Sequence, residues 1–140
     1  YNNQLICAVG EDSVCFVSTS GELIGRYAYD GQYLKSHDFG GNGFLTLILN
    51  MYKAGNRYTI QTIDLSGKQT ASLYFGQEIL DVSAAGKYIA VLTPDQLTIY
   101  TEHLKVYAQT QETGVATNVV MRDDGSALLL GNGSGYLYIP

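Results

Sequence analysis

The sequence predicts an all-β fold: a β-propeller-like array of about four antiparallel blades that is part of a larger ring, is completed by a second chain, or closes as a small four-bladed unit, the first two being favoured. Three observations lead there. A turn glycine followed by an apolar run recurs about every forty residues, with Gly43 before residues 44–49, Gly86 before 88–92 and Gly125 before 127–130. Short strand-like runs bounded by turn residues fill the intervals, and a period of about 40 to 45 residues filled in this way marks propeller blades. No segment shows sustained helical periodicity.

The 140 residues read as one domain, 1–140, with blade-like groups at about 1–30, 31–76, 77–110 and 111–140. A chain of this length buries roughly two thirds of the surface its unfolded form exposes. With 46% hydrophobic residues, 15% charged and 2 Pro, the composition is that of a folded protein rather than a disordered one. The 16 Gly and 12 Tyr point to many turns and many strands.

In the first group, strands are expected at residues 4–9, 13–18 and 23–29, the last two joined by the turn Thr19-Ser20-Gly21-Glu22. The second group opens with 33–39, turns through Gly40-Gly41-Asn42-Gly43 into 44–52, and continues with 58–64 and 70–75. The third repeats the order: 79–83, then 88–92 after Gly86, then 96–100 and 104–109. The last group has 116–121, the turn Arg122-Asp123-Asp124-Gly125, 127–130 and 136–139. Asn132-Gly133 before the final strand is a hairpin signal, because this pair reaches positive φ cheaply. In each group the second strand is the most uniformly apolar, the pattern of a strand buried on both faces. Third and fourth strands alternate, as in Thr59-Ile60-Gln61-Thr62-Ile63, and are expected to lie outward.

The unit Ile79-Leu80-Asp81-Val82-Ser83-Ala84-Ala85-Gly86-Lys87-Tyr88-Ile89-Ala90-Val91-Leu92 resembles blades of the WD40-like, YVTN-like and quinoprotein-like propeller superfamily. Gln96-Leu97-Thr98-Ile99-Tyr100 with Leu104-Lys105-Val106-Tyr107 continues the pattern, and the likeness covers nearly the whole chain. The Trp count is zero, so the Trp-Asp dipeptides of true WD40 repeats and the tryptophan docking motifs of quinoproteins are missing. The chain is thus similar to uncharacterised bacterial propeller domains, and the resemblance implies the fold without naming a reaction.

The net charge is −5 and the eight basic residues are scattered, which excludes a nucleic-acid surface built on clustered Lys and Arg. No apolar run is long enough to span a bilayer. The chain begins at Tyr1 and reads as a trimmed or processed segment. Few lysines with abundant Tyr and Asn suit an extracytoplasmic or secreted bacterial domain. No phosphate loop, nucleophile elbow or zinc spacing occurs, so no cofactor or metal is expected.

Cys7 and Cys15 flank the turn Gly10-Glu11-Asp12-Ser13. A two-residue turn at Glu11-Asp12 sets Cys7 opposite Phe16 and Cys15 opposite Ala8, with the two sulfurs on opposite faces, whereas a one-residue bulge would bring them together. His37 and His103 are the only histidines, beside Asp38 and Glu102 respectively. His37, Asp38, Asp81 and Asn118 are the candidate ligand-binding residues, polar groups at strand ends where a central mouth would collect them. Tyr27 with Tyr29, and Tyr136 with Tyr138, share strand faces and either cover blades or form an anchor patch. The expected function is a non-catalytic binding or scaffolding module for a protein or glycan partner, with homo-oligomerisation through blade edges. The alternatives are an enzyme with a polar site at the mouth, or a sensor domain completed by a second chain.

Overall fold

The computed structural model describes residue 1 and residues 4–140. Among the described residues fourteen strands form four antiparallel sheets in chain order, and no sheet closes on itself. The first sheet is β1 (Leu5–Val9), β2 (Ser13–Ser18) and β3 (Leu23–Ala28). The second is β4 (Tyr33–Asp38), β5 (Phe44–Asn50), β6 (Tyr58–Asp64) and β7 (Gln69–Phe75). The third is β8 (Asp81–Ala85), β9 (Tyr88–Leu92), β10 (Leu97–Thr101) and β11 (Val106–Thr110). The fourth is β12 (Ala116–Met121), β13 (Ala127–Gly131) and β14 (Ser134–Tyr138). Within each sheet consecutive strands are neighbours, as short connections favour.

The sheets stack face to face through three apolar layers. Val14, Phe16 and Tyr29 of the first sheet region meet Leu45, Leu47, Leu49 and Ile63 of the second. Phe44, Ile48, Tyr58 and Ile60 meet Ala84, Ile89, Val91 and Tyr100 of the third. Tyr88, Ala90, Leu92, Leu97 and Ile99 meet Val119, Met121, Ala127 and Leu129 of the fourth. The central strands β5 and β9 are buried at every position because alternate side chains enter the two adjoining layers. Each fully buried Leu or Ile in these layers contributes about 2 kcal/mol. None of the three layers joins the first sheet to the fourth, so the array is open among the described residues.

Two expectations need correction. The third strands do not lie outward: β6 and β10 are buried nearly throughout, and only the fourth strands β7 and β11 alternate with solvent. The polar side chains on β6 are accommodated inside by bonds across sheets. Thr62 Oγ1 donates to the Glu102 carbonyl at 2.9 Å, and Gln61 Oε1 accepts from the Tyr27 hydroxyl at 2.8 Å. The last strand of the third sheet begins at Val106 and not at Leu104. Leu104 sits at φ 56° in a turn closed by its N–H to the Thr101 carbonyl at 2.8 Å, which keeps its side chain buried and off the ladder.

Strand direction follows from the turns. The β4–β5, β8–β9 and β12–β13 turns gather at one end, where Gly41 bridges Gly86 and a Cβ on Gly86 would come 3.2 Å from Asp123. The β1–β2 turn at Gly10–Asp12 lies at the other end, beside Gly31, Tyr33 and Lys53. β1 therefore runs opposite to β4, β8 and β12, in the sense of β5 and β9. The first sheet thus holds the second, third and fourth places of a four-stranded unit, and the fourth sheet the first three.

Candidate functional site

Asp81 opens β8 and faces the fourth sheet. Its Oδ1 accepts the N–H of Val82 at 2.9 Å, while Oδ2 accepts the N–H of Val119 at 2.8 Å and the Asn118 Nδ2 at 3.4 Å. Two residues along the same face, Ser83 Oγ accepts the Met121 N–H at 3.1 Å. A carboxylate offers several acceptor sites, and bonds to it are stronger than neutral ones. Here they seam β8 to β12. Asn118 completes the seam, its Oδ1 accepting from the Thr117 hydroxyl at 3.1 Å. The structure therefore brings Asp81 and Asn118 together.

His37 and Asp38 are neighbours on one strand, so they face opposite sides of the second sheet. His37 pairs in register with Leu47, whose side chain enters the layer toward the first sheet. Its ring stands edge-on to Phe39 at 5.2 Å. Asp38 pairs with Thr46 on the other face, and its Oδ1 accepts the Gly40 N–H at 2.6 Å, closing the turn after β4. A Cβ on Gly40 would lie 1.8 Å from the Ala84 carbonyl, so the third sheet packs directly on this turn. His37 and Asp38 cannot act as an acid–base pair in this arrangement.

His37 lines a cleft of about 760 Å³ between the end of β1 and the start of β4. Glu11, Asp12, Gln32 and Lys53 also line it, so charges of both signs are present. Lys53 Nζ stands 5.6 Å from the centre of the Tyr33 ring, and the buried Gln32 Oε1 has no hydrogen-bond partner among the described residues. Nothing in the spacing of the sequence singles out Gln32 or Lys53, which come from separate loops. Among the described residues no group of three or more His, Cys, Asp and Glu is placed to hold a metal ion. No helix there is long and apolar enough to cross a membrane.

The tyrosines tie sheets together. The Tyr27 hydroxyl lies 2.8 Å from both Gln61 Oε1 and Gln69 Oε1 across the first interface. Burial above all, and then the charge of Asp30, push its hydroxyl pKa up, with the Gln61 bond working the other way. Tyr138 donates to the Gln109 carbonyl at 3.3 Å, linking the fourth sheet to the third, and Tyr136 to the Glu112 carbonyl at 2.8 Å in the connection between β11 and β12. The cysteines are free and follow the two-residue turn, Cys7 opposite Phe16 and Cys15 opposite Ala8. Burial pushes the Cys7 thiol up.

No family model and no curated protein sequence matches the chain. Solved structures do resemble it. A computationally designed protein, Ika4, has a TM-score of 0.66 at 8% identity, with 96% of this chain and 84% of that chain covered. A protein of unknown function from Bacteroides caccae has a TM-score of 0.52 at 11% identity, with 90% of this chain covered. The chain spans 50% of the length of that bacterial protein. At such identities the likeness is one of fold, an all-β propeller-like array.

Proposed function

We propose that this chain is a non-catalytic binding or scaffolding module that recognises a protein or glycan partner and assembles through its open faces. One observation carries the reading: the two terminal sheets bury one face each and leave the other apolar. Ile6 and Ile24 are exposed on the outer face of the first sheet, and Val120 and Leu137 on that of the fourth. Inside the array the same kind of surface is always covered by the next sheet, and apolar patches of this kind mark interaction sites. The four sheets are read as blades of the WD40-like, YVTN-like and quinoprotein-like kind, and the composition suits a place outside the cytoplasm.

The exposed outer faces favour self-association, which would make the chain one part of a ring completed by a second chain, as a sensor domain of that design requires. Light scattering behind a sizing column tests it. The expected result is a mass above one chain that falls to one chain in the Ile6→Lys, Leu137→Lys double variant. A monomer at every concentration, unchanged by the substitutions, removes self-association and leaves a different protein or a glycan as the partner. The enzyme reading rests on the cleft beside His37. Retention of ligand binding and of any turnover after His37, Asp38, Asp81 and Asn118 are replaced by Ala would dismiss it.

A further inference from the structure

A groove of about 280 Å³ opens between the second and third sheets, bounded by the end of β7 and by β10 and β11. Both sheets are complete four-stranded units, and the ladders fix which side chains face the groove. Val91 of β9 faces the second sheet, and level with it across the ladders stand Thr98 and Gln109. Ile89 leads in the same way to Tyr100 and Val106. Thr98 and Tyr100 are buried, at 8% and 7% exposure. Gln96 Nε2 ties the polar side together, donating to Thr98 Oγ1 at 3.0 Å and to Gln109 Oε1 at 3.2 Å. That leaves the Gln96 carbonyl as an acceptor and the Gln109 amide as a donor for a ligand. Phe75 and Gln77 line the groove from the β7 side. Among the described residues no charged side chain lines it, in a chain whose net charge is −5.

The interface before this one shows what such a place takes up. There Tyr27 of β3, opposite Val14, faces the second sheet, and its hydroxyl lies 2.8 Å from both Gln61 Oε1 and Gln69 Oε1. Those glutamines sit on the third and fourth strands of their sheet. Phe75 holds the matching position on β7: it pairs with Tyr58 and packs toward the third sheet. Without a hydroxyl it has nothing to offer the amides of Gln96 and Gln109. One interface thus closes its amides with a tyrosine hydroxyl, and the next leaves them facing open space.

We propose that this groove binds one neutral sugar ring of a glycan, whose hydroxyls take the part that Tyr27 plays at the first interface. Sugar hydroxyls donate and accept, as the amides and hydroxyls of the groove require, and the C–H face of the ring suits the aromatic rings of Phe75 and Tyr100. The volume lies just under the roughly 300–1,000 Å³ of sites for drug-sized ligands, which fits a single ring. A charged ligand would lose hydration there without gaining a counter-charge. The inference rests on the reading of the chain as a binding module and names its ligand class. The groove lies apart from the apolar outer faces, so the two fail separately.

The test titrates the isotopically labelled 140-residue chain with the methyl glycosides of glucose, galactose, mannose and N-acetylglucosamine. At least one should give saturable shifts at the side-chain amides of Gln77, Gln96 and Gln109 and at the Thr98 N–H. The Gln77→Ala, Gln109→Ala double variant changes two exposed positions and should keep the fold while weakening binding about tenfold, the worth of one or two hydrogen bonds. Phe75→Tyr, which sets a hydroxyl where Tyr27 has one, should weaken binding by a similar factor. No saturable shift at these amides from any glycoside up to its solubility limit, or binding that neither variant weakens, overturns the proposal. Neither result touches the solution mass or its response to the Ile6 and Leu137 substitutions.

Discussion

At the scale of single residues, two of the polar groups that draw attention in the sequence, Asp81 and Asn118, join sheets. Asp81 holds two main-chain N–H groups and the Asn118 amide. Its replacement by Ala strands the Val119 N–H in the seam and should cost about 1–3 kcal/mol, read as a lower urea midpoint. Asp64 plays the same part within a turn. Burial pushes its carboxyl up, but the Ser66 hydroxyl and the N–H groups of Lys68 and Ser66 outweigh it and hold the pKa below the ordinary 3.8. A carboxyl whose folded value is depressed adds stability above its unfolded value and loses it as pH falls through the folded one. Below about pH 4 the wild type should lose stability that Asp64→Asn never had, so the two denaturation midpoints converge on acidification. Midpoints that stay parallel across pH 2 to 6 would exclude this account.

At the scale of elements, the pattern of side chains decided strand existence well and strand depth poorly. β5 and β9 read as two-sided buried strands and are. β6 reads as half-exposed because Gln61 and Thr62 interrupt its apolar run, yet both are buried, each bonded across to a neighbouring sheet. Alternation in a sequence cannot distinguish a polar group in water from one satisfied by another sheet, since both satisfy the same hydrogen-bonding demand. The candidate site shows the same limit. The chemistry of Asp81 and Asn118 was legible, but their meeting across 37 positions was not. Close approach of elements is equally invisible in the pattern. A Cβ on Gly25 would lie 1.8 Å from the Ser66 carbonyl, where the β6–β7 turn seats on β3. Gly25→Ala should destabilise by about 1–3 kcal/mol, because backbone cannot step aside as a side chain can. Chemical denaturation checks it, and a neutral effect would mean that the first sheet shifts freely on the second.

At the scale of the whole molecule, the first and fourth sheets each expose apolar side chains on the outer face among the described residues, and these faces are where the array can meet other chains. Cys15 lies on the outer face of the first sheet, opposite Ala8, while Cys7 turns toward the second. If the outer faces associate, Cys15 should react with a thiol reagent several-fold more slowly in the assembled wild type than in the monomeric Ile6→Lys, Leu137→Lys variant. Equal rates at concentrations where the mass is above one chain would place the contact elsewhere.

The sequence alone determined the class of fold, because strand period, turn glycines and two-sided apolar runs are local properties that survive without knowing any partner. It left the cysteine register open between a two-residue turn and a one-residue bulge, and the structure selects the two-residue turn. The tertiary structure alone decided which polar side chains are seams and which line open space, and that β1 occupies the second place of its sheet rather than the first. Those outcomes depend on what another sheet brings against each strand, and a side chain's type does not encode the direction from which its partner arrives.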